Sequence, residues 1–322
     1  MVDHDNLIKM LTLSFFKGRH CNLKTEEIKK MTWENQDLFL KQTIQTPLFK
    51  KYPCNRDFCV RFFKTLIQYL EPEQEVHDDM YTFLCNVMKT SDNEFCYRHY
   101  VVQNEFKNII TIKETKNMVL NGTTGLKTWE AALMLSDWAL CHKEIFSNKN
   151  VLELGSGVGF TGITIAKQCD IASMIMTDCH SDVLKTINNN IQINLSELCL
   201  KENINSNIYT SGCKSIGVMM LDWNDTEDLS LPFIPNIVIG ADIVYDPSIL
   251  QPLLNVLLMI HKINNNVDIY IASVIRNQDT FNEFLKVLES KKFKYEEISL
   301  SNNGFIEWDS SINRCLLRIN KI

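Results

Sequence analysis

The sequence predicts an α/β protein: a mostly parallel sheet with helices on both faces, preceded by a mainly helical accessory region. Three observations carry this. From about residue 120 onward, apolar runs of strand length alternate with amphipathic segments of helix length. Over roughly the first 95 residues the apolar positions recur instead at three and four. And one strand runs straight into a glycine-rich turn and then a helix, at Val151-Leu-Glu-Leu-Gly155-Ser-Gly157-Val-Gly159-Phe-Thr-Gly162.

In the accessory region, the stretch 57–71 places Phe58, Phe62, Leu66 and Tyr69 on one helical stripe, with Pro53 and Pro72 bracketing it. Residues 78–90 repeat the pattern, with Asp78 or Asp79 as first-turn acids. Segments 97–102 and 109–115 have β character. The apolar stripes are expected to bury against the α/β domain and leave an outer face for a partner.

Beyond residue 120, helices are predicted at 128–142, 160–168, 181–194, 248–262 and 278–290. Strands are predicted at 150–154, 172–177, near 206–210 and 216–221, and at 235–240, 267–273 and 293–299. A last strand covers 315–320. No helix separates the final two strands, so they form a hairpin at one sheet edge. The domains are 1–120, accessory, and 121–322, core.

Composition excludes several classes. Apolar residues make up 45% and charged residues 22%, with only 11 Gly and 7 Pro, which excludes collagen-like and disordered chains. Lys and Arg number 33 against 39 Asp and Glu, a net charge of −6, so direct nucleic-acid binding is not expected. The longest apolar stretch, 249–260, is broken by Gln251, Pro252 and Asn255, so no membrane span is expected. The eleven cysteines form no C-x-x-C pair and no zinc pattern, so no metal is expected. The first thirty residues are charged throughout and lack a signal-peptide pattern. A cytoplasmic protein with free thiols, mostly buried as small hydrophobes, follows.

The chemistry concentrates in four segments, each at the carboxyl end of a predicted strand, where open α/β sheets bind ligands. The first is the glycine loop; its alternative is a tight structural turn. Its spacing is G-x-G-x-G, and Phe160 stands where a dinucleotide fingerprint needs glycine. Glu153, two residues before Gly155, would repel a pyrophosphate and suit a cation. That charge pattern favours S-adenosylmethionine over NAD. The second is Asp178, nineteen residues after Gly159, suited to accept hydrogen bonds from two ribose hydroxyls or to cap the next helix, a role Ser181 could also fill. His180 reads as a loop residue.

The third segment is Leu221-Asp222-Trp223, where Trp223 stacks on an adenine or packs in the core. The fourth is Ala241-Asp242-Ile-Val-Tyr245, with Asp242 placed to hold an amine and Tyr245 walling a channel or filling the core.

These segments, with Thr124-Gly-Leu-Lys-Thr-Trp129-Glu-Ala-Ala, resemble the class I seven-strand methyltransferases, and among them the protein-lysine methyltransferase family 16. The resemblance runs from about residue 50 to the end and includes Tyr52-Pro53, Arg61-Phe62-Phe-Lys64-Thr-Leu66-Ile67 and Thr177-Asp-Cys-His-Ser181. It implies a Rossmann-like, seven-stranded, mostly parallel sheet. It implies that Trp129, Gly155, Ser156, Gly157, Asp178, Trp223 and Ala241 bind S-adenosylmethionine, a set to which the charge argument adds Glu153, and that Asp242 and Tyr245 border the reacting lysine. It also implies a protein substrate, translation elongation factor 2; a monomer is expected. The Asn-Pro-Pro-Tyr signature of amide and adenine methylation is absent. The rival readings are a methyltransferase of another protein or of a small molecule, and an inactive scaffold on the same fold.

Overall fold

The structure, a computed structural model, describes residues 4–19, 25–91, 93–203, 206–211, 214–225 and 230–321. By its internal contacts the chain divides into Met1–Lys116 and Asn117–Ile322, here unit 1 and unit 2.

Unit 1 contains helices α1 (His4–Phe16), α2 (Thr25–Ile28), α3 (Trp33–Gln42), α4 (Pro47–Lys51), α5 (Arg56–Leu70) and α6 (Asp78–Lys89). An antiparallel pair follows, β1 (Phe95–Val101) with β2 (Ile109–Thr115), where β character was expected. Side-chain caps start the helices: Thr32 accepts the Asn35 N–H, Thr46 that of Phe49, and Asn55 that of Phe58. The stripe on α5 is buried, with Phe58, Phe62 and Leu66 among its inward residues. Contrary to expectation, that stripe is consumed within unit 1 itself. Phe15 is fully buried, and its ring lies 5.3–6.3 Å from those of Phe39, Phe49, Phe58, Phe62 and Phe63. Rings from α1, α3, α4 and α5 thus share one aromatic core, which satisfies the apolar faces locally.

Unit 2 opens with α7 (Glu130–Cys141) and α8 (Lys143–Phe146). It continues as β3 (Asn150–Leu154), α9 (Phe160–Gln168), β4 (Ser173–Asp178) and α10 (Ser181–Asn194). Then come β5 (Cys199–Asn203), β6 (Ser206–Ser211), β7 (Lys214–Met220) and β8 (Ile237–Ala241). The last elements are α11 (Leu250–Ile263), β9 (Asp268–Val274), α12 (Gln278–Ser290), β10 (Phe293–Glu297) and β11 (Arg314–Lys321).

The sheet order is β10-β11-β9-β8-β3-β4-β7-β6-β5. Parallel pairs run from β9 through β8, β3 and β4 to β7. Strand β11 is antiparallel to both of its neighbours, and β10 is the edge, as the helix-free connection required. The seven strands from β10 to β7 form the expected sheet. The antiparallel pair β5 and β6 extends it to nine. The sequence of β5, Cys-Leu-Lys-Glu-Asn, is too polar to announce a strand; pairing to β6 makes it one.

The chain leaves β3 toward β4 and β7, then crosses back to β8 on the other side of β3. That reversal opens a crevice at the carboxyl ends of these strands. Behind it, Leu253, Leu254, Leu257 and Ile260 of α11 are fully buried. The connection between β10 and β11 is pinned by Asp137 of α7. Its buried carboxylate accepts the N–H groups of Asn303, Phe305 and Ile306 and the Trp308 indole N–H, all at 2.9–3.0 Å.

Every described cysteine is a free thiol. Cys59, Cys169 and Cys315 are buried, and burial pushes their thiols up to about 12, 11 and 12. Cys85, Cys141, Cys179 and Cys199 are exposed, so burial is less general among them than expected. Among the described residues no helix is long and apolar enough to cross a membrane, and no cluster of His, Cys, Asp and Glu is placed to hold a metal.

Candidate active site

A cavity of about 450 Å³ occupies the crevice of unit 2. Its floor is the glycine loop. Gly155 has φ +60° and Gly157 φ +52°, left-handed values that other residues adopt only at a cost. A Cβ on Gly155 would sit 2.8 Å from Ile243 Cγ2 and 3.5 Å from the Trp223 ring. One on Gly157 would sit 3.0 Å from the Gly125 carbonyl oxygen. The loop is therefore bare because three segments converge on it.

Asp178 lines the cavity at the end of β4. Its carboxylate accepts the N–H groups of Gly157, at 3.2 Å, and His180, at 3.1 Å. Burial pushes its carboxyl above the ordinary value, and these N–H bonds work against that. Helix α10 is capped by His180 instead, whose Nδ1 accepts the Asp182 N–H at 3.3 Å. That fixes the tautomer, so Nε2 donates to the Asn121 carbonyl at 3.1 Å. His180 is more than a loop residue: it ties the segment before α7 to β4. That segment brings Met118, Thr123, Thr124, Gly125 and Trp129 to the cavity.

Trp223 both lines the cavity and packs on the core of unit 2, so the two roles read for it coincide. Asp222 beside it accepts the Asn224 N–H at 2.9 Å. From the end of β8 come Ala241, Asp242, Ile243 and Tyr245. Tyr245 is 53% exposed, which excludes a core role. Asp242 has φ +59°, and its N–H continues the ladder to Ala272 O at 2.8 Å. Its carboxylate is held by Arg276, with Nη1 to Oδ1 at 3.0 Å and Nη2 to Oδ2 at 2.7 Å. The same guanidinium stands 5.2 Å from the centroid of the Trp129 ring, whose Nε1 donates to Thr124 O.

Two expected site residues lie elsewhere. Alternation along β3 sends Glu153 away from the cavity and toward α9; its Oε2 is 2.6 Å from where a Gly162 Cβ would be. Glu153 is 2% exposed, and burial pushes its carboxyl up to about 8. A carboxyl that is largely neutral at pH 7 and faces away from the cavity presents no anion to a ligand. The Ser156 hydroxyl is spent on Glu153 O and the Thr177 N–H, joining the ends of β3 and β4. Arg276 was missed because it follows β9 without any motif. Met118 precedes the Thr124–Trp129 segment and Asn224 follows Trp223, each just outside a recognised motif.

The cavity fits S-adenosylmethionine. The cradle at Gly155 and Gly157 is open only without Cβ atoms, Asp178, Asp222 and Asp242 stand at the strand ends, and most of the lining surface is apolar. A glycine-floored cleft at the switch point of this sheet, with β11 reversed between β9 and β10, is the arrangement of a class I methyltransferase. The chain belongs to the lysine methyltransferase family, whose sequence profile matches residues 106–291. It is a protein-lysine N-methyltransferase that uses S-adenosylmethionine.

Its relatives include the protein-lysine N-methyltransferase EEF2KMT of Bos taurus, 30% identical over 87% of this chain and 85% of the relative. The Mus musculus EEF2KMT is 32% identical over 80% of this chain and 76% of its own length. The protein-lysine N-methyltransferase EFM3 of Saccharomyces cerevisiae is 27% identical over 68% of this chain and 65% of its own.

Proposed function

We propose that this enzyme methylates a lysine of translation elongation factor 2. The observation that carries the reading is the cleft at the carboxyl ends of β3, β4 and β8, in a chain similar over most of its length to enzymes named EEF2KMT. In this reading Trp129, Gly155, Gly157, Asp178, Trp223 and Ala241 hold S-adenosylmethionine, Asp178 at the ribose and Trp223 at the adenine. Glu153 and Ser156 shape the loop from behind.

S-adenosylmethionine, when bound, supplies a methyl group on a sulfonium. The chain's own task is to bring a neutral amine to it. Free lysine has a pKa of about 10.4, so nearly all of it is charged at pH 7. Asp242 and Tyr245 border the arriving side chain, and alignment by such walls supplies roughly 7–11 kcal/mol of a displacement barrier. Unit 1 recognises the folded substrate, and unit 2 carries the chemistry. The enzyme works as a cytoplasmic monomer and needs no nucleic acid.

The test is incubation with labelled S-adenosylmethionine and elongation factor 2 isolated without the modification. Label on one lysine of the factor is the expected result. Label on a different protein or a small molecule, or none, would overturn it. Asp178→Ala should weaken cofactor binding in calorimetry, since each bond to a charged acceptor is worth ~1.5–3 kcal/mol. Unchanged affinity would remove Asp178 from the ribose role.

A further inference from the structure

We propose that Arg276 is a positioning residue that neutralises Asp242 and so makes the cleft select lysine in its uncharged form. This rests on the lysine-methyltransferase reading of the cleft and deepens it.

In the functional reading above, Asp242 borders the path of the amine. An unpaired carboxylate there would bind lysine as the ammonium, which has no lone pair to attack a methyl group. Both of its oxygens, however, are engaged by Arg276, at 3.0 and 2.7 Å, and Oδ1 also accepts the Val274 N–H at 3.4 Å. The Asp242 side chain is 6% exposed and that of Arg276 46%, so the guanidinium covers the acid on its solvent side. Arg276 is itself held over the Trp129 ring. The pair is thus fixed between β8, β9 and the start of α7, and bidentate geometry makes it rigid.

The other titratable or charged groups lining the cleft are Asp178 and Cys179 after β4, Asp222 after β7, and Tyr245 after β8. Asp178 is tied to the glycine loop, and Asp222 to Asn224. A carboxylate has about four lone-pair sites, so the paired Asp242 still accepts an N–H from a neutral amine and can aim its lone pair. The proton leaves for bulk water at the mouth, as the amine enters. A positive guanidinium at the mouth, and the cancelling of the Asp242 charge by it, both favour that loss.

The sign of the effect is fixed. Removing Arg276 leaves Asp242 uncompensated, stabilises the bound ammonium and raises the bound lysine's pKa by about one pH unit or more. The neutral fraction at pH 7 then falls about tenfold. Removing the Asp242 charge leaves Arg276 uncompensated and moves the pKa the other way.

The experiment uses the full chain and elongation factor 2. The pH dependence of kcat is measured for wild type, Arg276→Gln, Arg276→Lys and Asp242→Asn. Binding of the unmethylated factor at pH 7, without cofactor, is measured by calorimetry. Arg276→Gln should move the rising limb of kcat to higher pH by about one pH unit, lower kcat at pH 7, and tighten binding of the factor severalfold. Arg276→Lys should keep the limb in place. Asp242→Asn should move it to lower pH, which tests the idea even if Arg276→Gln does not fold. A rate lowered equally at every pH, with binding unchanged, would make the pair a structural brace and overturn the proposal alone. A wild type inactive on elongation factor 2 would overturn the functional reading and this inference together.

Discussion

Glu153 carries a pH signature of its own. Burial raises its carboxyl from the ordinary 4.5 to about 8, so the folded state holds this proton more tightly than the unfolded chain. The stabilising contribution is fully present below pH 4.5 and is lost as pH rises through about 8. Glu153→Gln has nearly the same shape and stays neutral. Its melting temperature should exceed that of the wild type above pH 8, with the gap closing toward pH 4.5. A gap that does not vary with pH would show that Glu153 ionises normally. At Gly155 the constraint is steric. Alanine there adopts a left-handed backbone at roughly 1–3 kcal/mol and meets Ile243 at 2.8 Å. Lower melting temperature and weaker S-adenosylmethionine binding are expected together, and calorimetry would read both. If neither changes, the loop is not the floor of the cofactor site.

At the scale of elements, Asp137 decides whether the connection between β10 and β11 has a structure. That connection is held by three backbone N–H groups and one indole, all converging on a single carboxylate of α7. Asp137→Asn turns one acceptor oxygen into a donor facing donors. Each oxygen serves two of the four donors, so two groups then lose their partner, at about 1–3 kcal/mol each. Amide exchange should accelerate at Asn303, Phe305 and Ile306 well before it does in β9 or β11. Uniform acceleration across the sheet would mean that the loop has no local stability to lose. The helices of unit 1 show the complementary case: their caps are local, but their apolar faces needed one another. The stripe of α5 was plain in the sequence. Its partners, Phe15 of α1, Phe39 of α3 and Phe49 of α4, were not, because helical periodicity names a face and not what covers it.

For the whole molecule, the division at Lys116 and Asn117 sets the useful fragment. The boundary read from composition, near residue 120, would cut off Met118, which lines the cavity. Residues 117–322 are expected to bind S-adenosylmethionine and to fail on elongation factor 2, if unit 1 recognises the substrate. Labelling the intact factor with the fragment measures this directly. Full activity would refute the recognition role, and an insoluble fragment would leave unit 1 as a cover.

The sequence by itself determined the parallel sheet, the strand that opens the glycine loop, the reversed last strand, and the acids and aromatics at the strand ends. Those features depend on local periodicity and on glycine's freedom at fixed spacings, which a linear string displays. Only the tertiary structure turned Glu153 away from the cleft, gave the cap of α10 to His180, and set Arg276 on Asp242. The first depends on which face of a strand is covered, and the other two on residues far apart in the chain: His180 caps locally, but its ring is also held by the Asn121 carbonyl. Arg276 and Asp242 are thirty-four residues apart and become partners only because β8 and β9 lie side by side.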